Sequence, residues 1–114
     1  MPDCLFCAIV AGDVPADLVM ETERAIAFRD INPQAPVHVL VIPREHLRDL
    51  AALAAADDGL LDEVATLAHR VATAEGVADS GYRVVFNTGA ATGQTVFHAH
   101  AHVLGGRPMS WPPG

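Results

Sequence analysis

The sequence predicts an α+β domain built on an antiparallel sheet, with one long helix and a short N-terminal helix. Five short segments rich in β-branched and apolar residues are joined mostly by hairpin-length connections, and one longer segment has helical periodicity. The chain has 114 residues, of which 51% are hydrophobic, so it can build one core, whereas two domains would each be too small. We therefore expect residues 1–114 to form a single domain.

Turn-forming residues divide the first part of the chain into short elements. The segment "CLFCAIVAGDVP" is typical of a short apolar helix that ends at Gly12 and Pro15. The segments "LVMET" and "AIAFRD" alternate like two half-buried strands, and "ER" suits the hairpin turn between them. A third strand is predicted in "VHVLVIP", which Pro43 closes.

The long helix is predicted between Asp57 and Gly76, because aspartates suit its positive N-terminal end and the glycine suits its end. Its apolar stripe recurs at helical spacing and consists of Leu60, Val64, Leu67 and Val71. Two further strands are predicted in "GYRVVFN" and "TVFHAHAHVLG", joined by the glycine-rich loop "TGAATGQ".

The charge balance and the cysteine count narrow the function classes. A net charge of −7, with seven arginines and no lysine, argues against binding nucleic acid or an anionic membrane, so we expect small-molecule or protein partners. The missing lysine excludes Schiff-base and P-loop chemistry. Without a basic leader at residues 1–3 or an apolar run of about 20 residues, the protein is expected to be cytoplasmic. Cys4 and Cys7 are too few for a disulfide framework.

The segment "FHAHAHVLGG" places His98, His100 and His102 at two-residue spacing. On one face of a strand, neighbouring histidines would be roughly 6.6 Å apart and the outer two about 13 Å apart, so one ion could bind two of them but not all three. The small alanines between them suit a closely packed helix on the other face. A metal site and a nucleophile with polar neighbours both fit this pattern, whereas His38 is expected to be a hydrogen-bonded structural residue.

Several motifs in order resemble the histidine triad (HIT) family. The segment "HAHAHVL" has the family's His-x-His-x-His form, and "GQTVFHAHAHVLGG" followed by "SWPPG" is similar to its Hint branch of purine nucleoside phosphoramidases. The segment "AFRDINPQAPVHVLVIPREHL" resembles the family's nucleotide-binding strand and turn. The resemblance covers nearly the whole chain and implies a HIT-like fold with a five-stranded antiparallel sheet.

The resemblance implies that His100 attacks the α-phosphorus of a nucleotide conjugate and forms a covalent nucleotidyl-histidine that water hydrolyses. It assigns phosphate binding to His102 and contact with the phosphate or leaving group to Thr95, where the family usually has serine. It gives His98 a place in a proton relay unless this residue binds metal. The positions that match the phosphate-binding loop and strand end are Asn87, Gly93 and Gln94.

For the nucleoside, the resemblance implies that Asp30 accepts hydrogen bonds from the ribose hydroxyls. It implies an apolar slot for a purine base, and the matching residues are Phe6, Ile9, Val14, Phe28 and Ile31, of which Ile9 and Val14 could equally be core. Trp111 resembles a tryptophan that reaches the partner's active site in Hint dimers, which implies a homodimer.

Certain bacterial HIT proteins carry Cys-x-x-Cys near the N-terminus, and this chain resembles them. By that resemblance a structural zinc ion would bind Cys4, Cys7, His46 and His98. Cysteines at i and i+3 share one face of a helix, which suits a shared ion, although free thiols and a redox pair are alternatives. No organic cofactor is implied.

Three hypotheses about function follow. The leading one is a hydrolase of nucleoside 5′-phosphoramidates or related mononucleotide conjugates, such as AMP-amines or aminoacyl-adenylates, which needs no metal for its chemistry. The second is a metal-dependent hydrolase that uses His98 and His100 as ligands. The third is a nucleotide-binding or scaffold module without catalysis.

Overall fold

A computed structural model describes residues 4–114, so the expectation about a leader at residues 1–3 lies outside the described residues. In chain order the elements are α1 (Leu5–Ala11), β1 (Leu18–Glu21), β2 (Ala25–Arg29), β3 (Val37–Pro43), α2 (Leu50–Ala56), α3 (Leu60–Ala74), β4 (Tyr82–Val85), a turn of 3₁₀ helix (Ala90–Thr92) and β5 (Ala101–Gly105). None of the helices in this part of the chain is both long and apolar enough to cross a membrane.

The five strands form one antiparallel sheet in the order β1-β2-β3-β5-β4. This confirms the predicted α+β fold, with a long helix and a short N-terminal one. The central strand β3 is buried along nearly its whole length, and its side chains alternate between two cores. Val39 and Val41 pack with the apolar stripe of α3, whereas Leu40 and Ile42 pack with Phe6 of α1.

The sequence did not predict α2. Asp49 caps this helix, because its carboxylate accepts a hydrogen bond from the backbone N–H of Ala52 at 3.0 Å. All seven of the following residues are alanine or leucine, which favour helix but supply little amphipathic periodicity. Only Leu53 of α2 is buried.

The last strand is shorter than predicted, because β5 begins only at Ala101 and residues 95–100 precede it. The β3–β5 ladder ends at the pair Val41 and Ala101. Beyond that pair the backbone N–H of Ala99 donates to the carbonyl of Leu47 at 2.7 Å instead of to a strand. The prediction that all three triad histidines lie in one strand was therefore wrong, and only His102 does.

One glycine of β5 is required by close packing. A Cβ on Gly105 would lie 2.8 Å from the Cβ of Val77, which follows α3 and is buried. The expectation that alanines beneath the histidines allow a helix to pack closely is confirmed, because Ala99 and Ala101 are buried in the core that α3 shares.

Candidate active site and metal cluster

A cavity of about 690 Å³ lies between α1, the ends of β2 and β3, and the glycine-rich loop. Most of the residues that the sequence assigned to nucleotide binding or catalysis line it, namely Phe6, Ile9, Val14, Phe28, Asp30, Ile31, Asn87, Gly93, Thr95, His100 and His102. Residues that the sequence analysis missed also line it, namely Leu5, Pro15, Ala16, Asp17, Arg29, Leu40 and Val96. The segments that resemble the family contain Arg29, Leu40 and Val96 but did not single them out. The position of the other residues follows from the path of the chain through and after α1.

His100 lines the cavity and is largely buried. Its Nδ1 is 2.8 Å from the carbonyl oxygen of His98. Because a carbonyl can only accept, Nδ1 carries the proton, and Nε2 of the neutral ring holds a lone pair. The rings of Phe6 and His100 pack nearly perpendicular to each other, with their centroids 5.1 Å apart. This neutral tautomer leaves His100 with a nucleophilic Nε2.

His102 has the opposite tautomer. The backbone N–H of Gln34 donates to Nδ1 of His38 at 3.0 Å, so the proton of His38 is on Nε2. That Nε2–H donates to Nδ1 of His102 at 2.9 Å, which places the proton of neutral His102 on its own Nε2. Burial, reinforced by the nearby His100, lowers the pKa of His102 to about 4, so the ring is neutral near pH 7. The rings of His100 and His102 are 5.0 Å apart.

Asp30 follows β2 directly and lines the same cavity. Its Oδ1 accepts a hydrogen bond from the backbone N–H of Asn32 at 2.8 Å, and its Oδ2 is 3.4 Å from Nε2 of His38. The pKa of His38 is lowered by burial, which the carboxylate of Asp30 opposes. The structure bears out a hydrogen-bonded His38, and it also shows a contact with His102 that the sequence did not signal.

The buried side chain of Gln94 holds the glycine-rich loop through hydrogen bonds. Its side chain is only 4% exposed, and its Oε1 accepts from the backbone N–H of Gly89 at 2.8 Å. Its Nε2 donates to the carbonyls of Arg48 and Val96 at 3.0 and 3.1 Å. The cavity lining includes Gly93 but not Gln94. The side chain of Gln94 therefore acts on the cavity indirectly, because its hydrogen bonds hold the loop in place.

Trp111 lies away from the cavity of its own chain. It is 81% exposed, and the tail that carries it is held beside β4 by a hydrogen bond from Arg83 to the carbonyl of Ser110 at 3.0 Å. A contact of Trp111 with a partner's site stays a prediction.

Cys4, Cys7, His46 and His98 converge in a second cluster, and their ligand atoms all lie within 4.8 Å of one another. The Nδ1 of His98 is 3.5 and 3.6 Å from the two sulfurs, and the Nδ1 of His46 is 3.3 Å from the sulfur of Cys7. Tetrahedral zinc with ordinary bond lengths would separate sulfur and nitrogen ligands by roughly 3.6 Å. The donor set and its spacing therefore fit such an ion.

The orientation of His98 also suits a metal ligand. Its Nε2 donates to the carbonyl of Pro43 at 2.7 Å, so Nδ1 presents its lone pair to the cysteines. Burial lowers the pKa of His98, which favours this neutral form. Both ring nitrogens thus point away from the cavity, contrary to a same-face row of three histidines. The hydrogen bond between the two residues uses the backbone carbonyl of His98 and not its ring.

Comparison with known proteins agrees with this geometry. A model of the HIT domain matches residues 11–109, and the chain belongs to the HIT domain family. It is 49% identical to an uncharacterized HIT-like protein of Synechocystis sp., over 98% of this chain and 97% of the relative. A HIT family hydrolase from Legionella pneumophila is 47% identical, with a TM-score of 0.93 over 98% of this chain and 100% of the other. For a HIT family hydrolase from Clostridium thermocellum the identity is 44% and the TM-score 0.92, over 96% of each chain. The chain therefore has the fold of HIT family hydrolases.

The buried histidines predict a loss of stability in acid. The pKa of His102 is about 4 in the folded chain against an ordinary value of 6.5, so its stabilising contribution is complete above pH 6.5 and is lost as the pH falls towards 4. We expect His102→Asn to lessen the drop in unfolding free energy between pH 7 and pH 5.5 by about 1 kcal/mol, after allowance for partial solvent screening. Urea unfolding at both pH values measures this drop. The control is His69→Asn at an exposed position, and an equal acid sensitivity of wild type and His102→Asn contradicts the assignment.

Proposed function

We propose that the protein hydrolyses nucleoside 5′-phosphoramidates or related mononucleotide conjugates through a covalent nucleotidyl-histidine at His100. The observation that carries this proposal is the hydrogen bond from Nδ1 of His100 to the carbonyl of His98. It leaves a nucleophilic Nε2 on a ring that lines the cavity, beside a His102 ring whose Nε2 is a donor.

In the first step, Nε2 of His100 attacks the α-phosphorus and the bond from phosphorus to the leaving amine breaks. The amine departs with the electron pair of that bond and takes a proton from water. The imidazole of the resulting nucleotidyl-histidine is positively charged and is therefore a good leaving group for the second step. A second water then attacks phosphorus and gives a proton to the hydroxide left by the first water. The bond to Nε2 breaks, its electron pair returns to Nε2, and the nucleoside monophosphate is released. The Nε2–H of His102 donates to the phosphate oxygens as negative charge redistributes. The hydroxyl-bearing Thr95 and the loop residue Gly93 also line the cavity.

The other walls of the cavity suit a nucleoside. Phe6, Phe28 and Leu40 form an apolar surface against which a purine can stack, and Asp30 supplies a carboxylate for the ribose hydroxyls. Contact with the base would be mainly apolar, so adenine and guanine would be distinguished weakly. AMP derivatives are therefore suitable test substrates. Hydrolysis of purine nucleoside phosphoramidates is also the activity that the resemblance to the Hint branch implies.

We also propose that the cysteine and histidine cluster binds one structural zinc ion. Support comes from two sulfurs and two imidazole nitrogens at tetrahedral spacing and from the carbonyl of Pro43, which orients His98. The ion would hold α1 against residue 98 and supplies no step of the reaction.

The geometry favours this scheme over a metal-dependent hydrolase in which His98 and His100 share an ion. The ring nitrogens of His98 face the cysteines and Pro43, and Nδ1 of His100 donates to a carbonyl. Among residues 4–114, neither group of converging ligand atoms includes His100. A binding module without catalysis would retain the cavity but show no turnover.

We further propose a homodimer in which Trp111 approaches the partner's cavity. The resemblance to Hint proteins suggests it, and it is supported by the exposed tryptophan and by the position of β4 at the edge of the sheet, beside the tail.

The first prediction of the proposed function concerns the nucleophile. Wild type should release AMP from adenosine 5′-phosphoramidate, and His100→Ala should lower kcat on the order of a thousandfold or more, because no other group replaces Nε2. His69→Ala, which changes an exposed histidine on α3, is the matched control. Turnover is measured with and without prior chelation.

Turnover that survives chelation and depends on His100 supports the nucleotidyl-histidine route. Turnover that chelation abolishes and added metal restores, with the fold intact, would favour the metalloenzyme. If untreated wild type binds AMP but releases none from the phosphoramidate, a binding module or another conjugate is favoured.

The second prediction concerns zinc. The purified protein should contain about one zinc ion per chain by atomic absorption, and Cys7→Ser should lose most of it and melt at a lower temperature, because one of four ligands is weakened. The substitution Ser80→Ala, which removes a hydroxyl from an exposed residue far from the cluster in sequence, controls for handling. Equal zinc content in wild type and Cys7→Ser contradicts the assignment.

The third prediction concerns the dimer. Sedimentation equilibrium should give twice the mass of one chain. Because Trp111 is the only tryptophan, AMP binding should change its fluorescence in the dimer. A monomer at micromolar concentration, or a Trp111 emission that AMP leaves unchanged, contradicts the proposal.

A further inference from the structure

We propose that Arg107 is a positioning residue that orients Asp30 for recognition of the ribose. The inference rests on the proposed function and adds to it a residue outside the cavity, since the cavity lining includes Asp30 but not Arg107. The two residues are connected through the segment between β2 and β3, residues 30–36, which we call the ribose turn.

Three successive hydrogen bonds connect Asp30 to Arg107. Oδ1 of Asp30 accepts from the backbone N–H of Asn32 at 2.8 Å, and the carbonyl of Asn32 accepts from Nε2 of Gln34 at 3.0 Å. The carbonyl of Gln34 in turn accepts from Nε of Arg107 at 3.0 Å. The orientation of the Asp30 carboxylate therefore depends on a chain of bonds whose last donor is Arg107.

Burial does not hold the middle of the ribose turn. Residues 31–34 are all exposed, and the side chain of Ile31 is exposed completely. Such a segment is fixed mainly by its hydrogen bonds. The backbone N–H of Gln34 donates to Nδ1 of His38 at 3.0 Å, whereas its carbonyl accepts from Arg107. Loss of the Arg107 bond would therefore release one of the two backbone groups that fix Gln34.

Close packing brings Arg107 to the ribose turn. Gly106 follows β5 with a φ of +90°, which glycine adopts readily, and a Cβ on it would lie 3.0 Å from the Cβ of Pro36. The chain after β5 thus passes directly against the ribose turn. The guanidinium of Arg107 also donates from Nη1 to the carbonyl of Pro108 at 3.0 Å. One side chain therefore connects the ribose turn to the start of the C-terminal tail.

The orientation of Asp30 matters because the ribose hydroxyls would donate to the lone pairs that Asn32 leaves free. With the chain of bonds in place the carboxylate is preorganised, whereas without it ordering of the turn would cost part of the binding free energy. Arg107 should therefore raise the affinity for a nucleotide with 2′- and 3′-hydroxyls and leave the affinity for one without them nearly unchanged.

The experiment compares the dissociation constants of AMP and 2′,3′-dideoxy-AMP, measured by isothermal titration calorimetry. Wild type should bind AMP about tenfold more tightly, the scale of one hydrogen bond. Arg107→Met should reduce this ratio to about threefold, because only AMP binding weakens. Gln34→Ala, which removes the donor to the Asn32 carbonyl, should act in the same direction. Arg70→Met is the same substitution at an exposed position of α3 and should keep the wild-type ratio.

A ratio in Arg107→Met equal to that of wild type overturns the inference, and so does an equal loss of affinity for both nucleotides, which would mean a general loosening of the cavity. Thermal melting shows whether each variant is folded, and if Arg107→Met is not, the ratio in Gln34→Ala decides in the same way. Equal affinity of wild type for the two nucleotides also overturns the inference, while His100-dependent turnover leaves the proposed function intact. Failure of wild type to bind either nucleotide is instead the failure of the proposed function.

A double-mutant cycle tests whether Arg107 acts through Asp30. Asp30→Asn keeps the size of the side chain but removes the charge that accepts from the ribose hydroxyls, so it should lower the ratio by itself. Adding Arg107→Met to Asp30→Asn should then change the affinity for AMP less than about twofold, because the two substitutions remove the same interaction. A loss as large as in the wild-type background would mean that Arg107 acts elsewhere, and it overturns the inference.

Discussion

The antiparallel pairing of β3 with β5 is the constraint on which the rest of the structure depends. Because β3 is covered on both faces, a slip by one residue would exchange its two cores. In the observed register Val39 pairs with Val103 towards α3, and Leu40 pairs with His102 towards the cavity. The position of His102 in the cavity is therefore set by the hydrophobic pattern of the sheet.

The site also depends on where that pairing stops. Beyond Ala101 the backbone bonds with Leu47, and the carbonyl of Pro43 receives the ring of His98. His98 thus turns towards the cysteines, and its own carbonyl is left to accept from His100. Because the strand ends at this point, the regularly alternating histidines lie in different environments. His98 belongs to the cysteine and histidine cluster, whereas His100 and His102 line the cavity.

Much of the fold could be predicted from sequence, because period-two patterns such as "VHVLVIP" and the apolar stripe of α3 carry a local signal. The start of β5 could not, since alternation looks the same in a paired strand and in an extended segment without a partner. The residues of the candidate site were identified from family motifs, whereas the contact of His38 with His102 depends on strand register across 64 residues. The hydrogen bonds of the buried Gln94 side chain could not be predicted either, because one of them joins Gln94 to Arg48, which is distant in sequence. Only the position of Gln94 in the glycine-rich loop could be predicted.

The helix α1 contributes side chains both to the cysteine and histidine cluster and to the cavity. Its seven residues are too few to be stable as an isolated helix, yet Cys7 belongs to the cysteine and histidine cluster while Phe6 packs against His100. One wall of the cavity is thus α1, and the cysteine and histidine cluster lies at one end of this helix. During divergence within the family, a lineage that replaces these cysteines would have to gain apolar contacts under α1 at the same time. Substitutions at the cluster and in the apolar wall of the cavity are therefore expected to accumulate together rather than independently.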